Sequence, residues 1–236
     1  ERYGELREGT AVTIFVTEDF LPEAQVKANS ATDQTIPVLK LNQTKKFITG
    51  IYPYSVMTST FTPLEEKTAA IKVSHSMQEW CGHVYIQLNQ RDEFDIVQHS
   101  YFEGEADLET TLPLTHLESD IWNVIRINPE ELPTGEFSML PSFEYFRMSH
   151  RDLKIHSAIG ALEANDTITT YRITYPDLQR SLSLSFTTEF PHTINSWEET
   201  HDNGLVTKAE RIKQLKTAYW SQNGNSFRYL RDSLGL

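Results

Sequence analysis

Apolar and polar residues alternate with a period of two over much of this chain, and that alternation admits few folds. Val12, Ile14 and Val16 interleave with Thr13, Phe15 and Thr17, and Glu18-Asp19-Phe20-Leu21-Pro22 ends the run. Tyr52, Tyr54, Val56 and Thr58 interleave with Ser55, Met57 and Ser59. Ile71, Val73, His75 and Met77 share one phase, and so do Val84, Ile86 and Leu88. Successive side chains of a strand point to opposite faces, so each run reads as a strand with one wetter face. Asn89-Gln90-Arg91-Asp92 turns the chain into residues 96–102, and short links of this kind favour antiparallel neighbours. Later, residues 167–175 and the Leu182, Leu184, Phe186 run repeat the style, with stops at Pro176-Asp177 and Phe190-Pro191.

Two segments switch to a helical period. Thr115-His116-Leu117-Glu118 has capping-box spacing, and Leu117, Ile121, Val124 and Ile125 follow as an apolar stripe that ends at Asn128-Pro129. Thr207-Lys208-Ala209-Glu210 has the same spacing, followed by Ile212, Leu215 and Tyr219. The expected fold class is therefore mainly β (α+β). It is a curved antiparallel sheet or open half-barrel with one helix against it and a C-terminal helix. One continuous sheet is preferred, in a single domain over residues 1–236, and residues 128–135, with Pro129, Pro133 and Gly135, form the only candidate lobe junction.

Composition narrows the partners. With 39% hydrophobic and 23% charged residues the chain can bury a core and is not disordered. Its net charge of −12 repels phosphates, so nucleic acid is not an expected partner. Arg211, Lys213 and Lys216 form one short basic exception. No apolar run approaches the roughly 20 residues of a membrane-spanning helix. The opening Glu1-Arg2-Tyr3-Gly4 reads as a trimmed or mature chain, and any targeting segment would have gone with the missing N-terminus.

Few constellations carry chemistry. In Trp80-Cys81-Gly82-His83, Cys81 and His83 would share a face of a strand, as a thiol nucleophile and base or as two metal ligands. The competing reading is an inert cysteine and a histidine at a bulge. Cys81 is the only cysteine, so no disulfide and no typical zinc site is expected. His201-Asp202 is an isolated metal-hydrolase-like dipeptide, and His150-Arg151-Asp152 is equally isolated; both read more simply as solvated turns. The pairs Glu65-Glu66, Glu130-Glu131 and Glu198-Glu199 are adjacent, so on strands their carboxylates would point apart. There is no nucleophile elbow, phosphate loop or dinucleotide fingerprint, and no cofactor is expected. The aromatics Tyr52, Tyr54, Phe143, Tyr145, Tyr171 and Trp197 are the candidate ligand-binding residues, lining a concave sheet face; ordinary core is the alternative.

Several stretches resemble a family of Bacteroidota proteins. They are Ile127-Asn128-Pro129-Glu130-Glu131-Leu132-Pro133-Thr134-Gly135, Leu140-Pro141-Ser142-Phe143-Glu144-Tyr145, Gly50-Ile51-Tyr52-Pro53-Tyr54-Ser55, Gln78-Glu79-Trp80-Cys81-Gly82-His83-Val84-Tyr85, and residues 190–199 from Phe190-Pro191 to Glu198-Glu199. Members often carry the label septum formation inhibitor Maf. True proteins of that name are α/β nucleotide pyrophosphatases with an N-terminal Ser-x-Arg-Arg motif. This chain lacks that motif, and its period of two argues against alternating strands and helices. The Leu-Pro junction and the closing Pro-x-x-Ile-x-x-Trp-Glu strand are also similar to envelope proteins built like the open half-barrel of lipoprotein carriers and lipid-binding lipoproteins.

That resemblance implies a periplasmic or cell-envelope protein, with a lipid or other hydrophobic ligand, or an envelope protein partner, on the aromatic face. The expected function is non-enzymatic binding. The alternatives are a hydrolase using Cys81 and His83 or a metal at His201 and Asp202, and a structural module that only docks to other proteins.

Overall fold

A computed structural model describes residues 1–65 and 69–236. The chain is mainly β, a curled antiparallel half-barrel arrangement with a few helices and a C-terminal helix, as the alternation predicts. Its strands fall into two sheets where the sequence favoured one. The first sheet takes β1 (Gly9–Leu21), β2 (Val26–Lys27), β3 (Ile36–Thr49), β4 (Tyr52–Pro63), β5 (Lys72–Glu79), β6 (Gly82–Gln90), β7 (Phe94–Ser100) and β8 (Leu108–Leu112). Its order is β2-β1-β3-β4-β5-β6-β7-β8, all antiparallel.

The second sheet opens with β9 (His116–Leu117), and helix α1 (Glu118–Ile127) follows at once. Then come β10 (Gly135–Leu140), helix α2 (Phe143–Ser149), β11 (His156–Ala164), β12 (Ile168–Tyr175), β13 (Arg180–Thr187), β14 (Ile194–Thr200) and β15 (Val206–Glu210). Spatial order follows chain order throughout this sheet, whereas β2 lies outside β1 in the first, and among the described residues only β9 and β10 run parallel. A short helix α3 (Tyr229–Leu234) lies near the C-terminus. No helix among the described residues is long and apolar enough to cross a membrane. The chain leaves the first sheet after Leu112 and joins the second at His116, while residues 128–135 carry a short 3-10 turn and lead into β10.

Alternation becomes burial in the central strands that were read, while Val12, Ile14 and Val16 of β1 are only half-buried. Val84, Ile86 and Leu88 of β6 are buried with Val73 of β5 and Phe94 and Ile96 of β7, and Phe143 and Phe146 of α2 pack on them. A second core gathers Ile121, Trp122 and Ile125 of α1, Tyr171, Ile173 and Tyr175 of β12, and Leu182, Leu184 and Phe186 of β13, with Leu41 reaching in from β3. α1 is thus the wedge between the sheets, its apolar stripe turned to the second one. Its polar side is stitched to the first: Asp120 accepts hydrogen bonds from Thr62 Oγ1 (2.5 Å) and Ala70 N (3.0 Å), and Asn123 Nδ2 donates to Leu39 O (3.0 Å) and Thr62 Oγ1 (2.8 Å). A lone buried carboxylate is costly unless hydrogen-bonded, and both oxygens of Asp120 are satisfied.

Local signals failed at three places. The capping box before α1 does not form: Leu117 is the N-cap, and the Thr115 hydroxyl instead donates to Ser138 O of β10 (2.7 Å). Residues 207–219 are not a helix. Residues 206–210 form β15, where Lys208 stands opposite Glu198 and Ala209 opposite Trp197, and Thr207 Oγ1 bonds His201 Nε2 (2.8 Å). Cross-strand pairing outweighs a local cap there, a tertiary override of propensity. α2 lies where Phe143 and Tyr145 suggested a sheet face.

The second sheet closes tightly at Gly160. A Cβ there would sit 2.1 Å from Pro133 O and 2.8 Å from the Tyr171 hydroxyl, both fixed by their own 2.6 Å hydrogen bond. Gly160→Ala is expected to destabilise the fold by about 1–3 kcal/mol through overpacking. A urea midpoint unchanged from wild type would contradict this.

Candidate functional site

The two sheets do not close on each other along β1 and β3 on one side and β13, β14 and β15 on the other. A cavity of about 1630 Å³ lies between them. Phe15 and Leu41 line it from the first sheet, Leu182, Ile194 and Trp197 from the second, and Trp122 and Tyr145 from the helices. Residues 211–217 and 234–236 run along its rim. Trp122 and Trp197 meet edge to face, ring centroids 5.2 Å apart, which favours the arrangement beyond area burial alone.

Its deep end is charged and fully paired. Arg180, 2% exposed at the side chain, donates to both Glu118 oxygens (2.5 and 2.8 Å) and, through Nε, to Glu199 (2.6 Å). The Tyr175 hydroxyl donates to Glu118 as well (2.7 Å), and Tyr145 stacks on the guanidinium at 4.5 Å. Burial acts against ionisation of Glu199, but the Arg180 charge outweighs it and holds the carboxyl at about 2. Beside this network Lys45 bonds both oxygens of Glu144 (2.8 and 2.9 Å) and lies 5.9 Å from the Trp197 ring. Desolvation would lower the Lys45 pKa; Glu144 and Glu199 more than offset it, and the net shift is upward.

Toward solvent the pairing is incomplete. Arg126, in the last turn of α1, lies over the Phe15 ring at 5.1 Å and reaches only Thr193 Oγ1, at 3.4 Å. Arg211 donates to Asn195 Oδ1 and Gln214 Oε1, both at 2.7 Å. Neither has an ion-pair partner among the described residues. Gln43 Nε2, on a cavity-lining residue, is also buried without a hydrogen-bond partner among the described residues.

Of the six candidate aromatics, Tyr145 and Trp197 line the cavity. Tyr171 is in the second core with its hydroxyl on Pro133 O, and Phe143 is in the first. Tyr54 is buried under Arg2, whose Nε donates to its hydroxyl (3.2 Å), and Tyr52 packs toward Trp80, centroids 6.2 Å apart. Cys81 sits in the exposed turn between β5 and β6, not on a strand beside His83. A hydrogen bond to Glu79 and that residue's charge raise the thiol pKa, opposite to what a nucleophile needs.

His201 bonds Thr207, while Asp202 turns away to Arg151 (3.2 Å). His150 pairs with Glu105. Among the described residues no group of three or more His, Cys, Asp and Glu is placed to hold a metal ion. Glu198 and Glu199 point apart as read, to Lys208 (2.9 Å) and Arg180; Glu66 lies outside the described residues.

The sequence reading named Arg211, with Lys213 and Lys216, as a basic run, and all three line the cavity; it missed Arg180 and Arg126, though their signal was present. Arg180 shares the strand phase of Leu182, Leu184 and Phe186, all buried, and Glu199 shares that of Trp197. Arg126 stands one helical turn after Trp122, on the same face. A charge in phase with an apolar row is a buried charge, and such a charge needs a partner. Compared with known proteins, the chain matches no family model, no curated protein and no solved structure.

Proposed function

We propose that this chain is a non-enzymatic cell-envelope protein that binds an apolar ligand, a lipid, in the cavity between its sheets. The cavity carries this reading: at about 1630 Å³ it exceeds the ~300–1,000 Å³ of sites for drug-sized ligands, and it has room for a long acyl chain. Tyr145 and Trp197 remain as ligand contacts, joined by Phe15 and Trp122. The envelope location rests on the half-barrel resemblance, with which the curled antiparallel sheet agrees.

Native mass spectrometry of protein purified from its own host tests the proposal. The expected result is an added mass in the lipid range, lost on denaturation and recovered by organic extraction. A bare polypeptide mass, together with failure to bind any fluorescent fatty-acid probe, would leave the cavity without a ligand and the proposal without support.

A further inference from the structure

Twelve Lys and Arg but only six Asp and Glu line the cavity, in a chain that has 21 of the former and 33 of the latter. An acidic protein has gathered more than half of its cations around one hollow. The deepest acids are already occupied, Glu118 and Glu199 by Arg180 and Glu144 by Lys45. The charge left over is at the open end. There Arg126 is half-buried and Arg211 exposed, and each is held by a neutral acceptor at the start of β14, Thr193 just before the strand and Asn195 within it. These anchors are two residues apart, about 7 Å along extended chain. Burial lowers the Arg126 pKa, the direction expected of a guanidinium drawn out of water with no carboxylate to meet it.

We infer that the ligand of this cavity is an anionic amphiphile, its carboxylate or phosphate head group bound between Arg126 and Arg211 and its acyl chain running inward past Phe15, Trp122 and Trp197. The inference rests on the lipid-binding reading and specifies its chemistry. A guanidinium is suited to this task because its planar donors meet two oxygens of a carboxylate or phosphate at once. An incoming anion supplies the counter-charge that Arg126 lacks, while the aromatic wall takes the apolar chain. A neutral lipid would leave Arg126 half-desolvated and unpaired.

The test measures affinities for three probes with the same chain: oleate, oleoyl-lysophosphatidic acid and uncharged monoolein. Wild type is expected to bind at least one anionic probe about tenfold or more tighter than monoolein, the scale of one charge-assisted hydrogen bond. Comparing oleate with the lysophosphatidic acid tells a carboxylate head group from a phosphate one. Arg126→Gln and Arg211→Gln should each lose about tenfold for the preferred anion and little for monoolein, and Arg126→Lys should recover part of the loss. Arg211 is exposed, so its variant tests the clamp without disturbing the core. Equal binding of monoolein and both anions by wild type, or variants indistinguishable from wild type, would overturn the anionic clamp while leaving an apolar cavity. Binding of none of the three probes would overturn the lipid reading itself.

Discussion

Replacing His75 with Phe is expected to stabilise the protein progressively, relative to wild type, as the pH falls below neutrality. His75 is 1% exposed on β5, hydrogen-bonded through Nδ1 to Thr58 Oγ1 (3.0 Å), with Nε2 buried and unpartnered among the described residues. Burial, with Lys45 and Arg147 nearby, pushes its pKa down from 6.5 to about 3. The folded chain therefore refuses a proton that the unfolded chain accepts. Stability from this residue is complete above pH 6.5 and is lost as the pH falls from there toward 3, at about 1.4 kcal/mol per pH unit.

Between about pH 7.5 and pH 4.5 the difference between the two unfolding free energies should move by about 3 kcal/mol in favour of the variant. The comparison must be between proteins, because Asp120 works the other way. Burial raises its carboxyl from 3.8 to about 6 against the hydrogen bonds from Thr62 and Ala70. Its folded pKa lies above its unfolded one, so it costs stability above pH 6, and that cost fades as the pH falls toward 3.8. Parallel stability profiles for wild type and His75→Phe across this range would remove His75 from the account.

Arg180→Met carries the other large effect. It leaves Glu118, 3% exposed at the side chain, and Glu199, 18% exposed, without their shared cation. Breaking a buried ion pair from one side costs about 3–5 kcal/mol, because a desolvated charge is left behind. Adding Glu118→Gln to Arg180→Met should recover a large part of that loss, since the stranded charge is then gone. Chemical denaturation of the two variants at neutral pH decides the matter. A single variant within about 1 kcal/mol of wild type would mean that water already reaches the pair. The same network has a pH signature: Glu199, lowered from 4.5 to about 2, stabilises the fold above pH 4.5 and ceases to do so as the pH drops toward 2.

Much of the fold was legible because strand burial has the simplest period. Val84, Ile86 and Leu88 could be placed on one face by counting, and they are buried together. What counting cannot supply is partnership between distant segments. Phe143 and Tyr145 fit a period of two, yet the buried pair is Phe143 and Phe146, three apart and helical. Thr207 to Glu210 offered a cap, but that signal is weaker than a ladder with β14, which no local window contains. The site was legible in its aromatics Tyr145 and Trp197 and in the basic run of Arg211, Lys213 and Lys216 at its rim. Charged residues were assigned to water by habit of type, whereas Arg180 and Arg126 declare themselves only when their phase is compared with that of their apolar neighbours.

The strand order has a mechanical meaning. Every ladder joins strands of the same sheet, and among the described residues no backbone-to-backbone hydrogen bond links a residue before 113 to one after it. Among the described residues every hydrogen bond between the two leaves involves a side chain, and the main fastening is α1, with Asp120 and Asn123 on one side and Ile121 and Trp122 on the other. Parting them along the cavity breaks no amide-to-carbonyl bond. The ladders therefore set how firmly each leaf holds its shape, and the seam sets how freely the leaves part, so tightness of folding and ease of opening the cavity can be tuned independently in this chain.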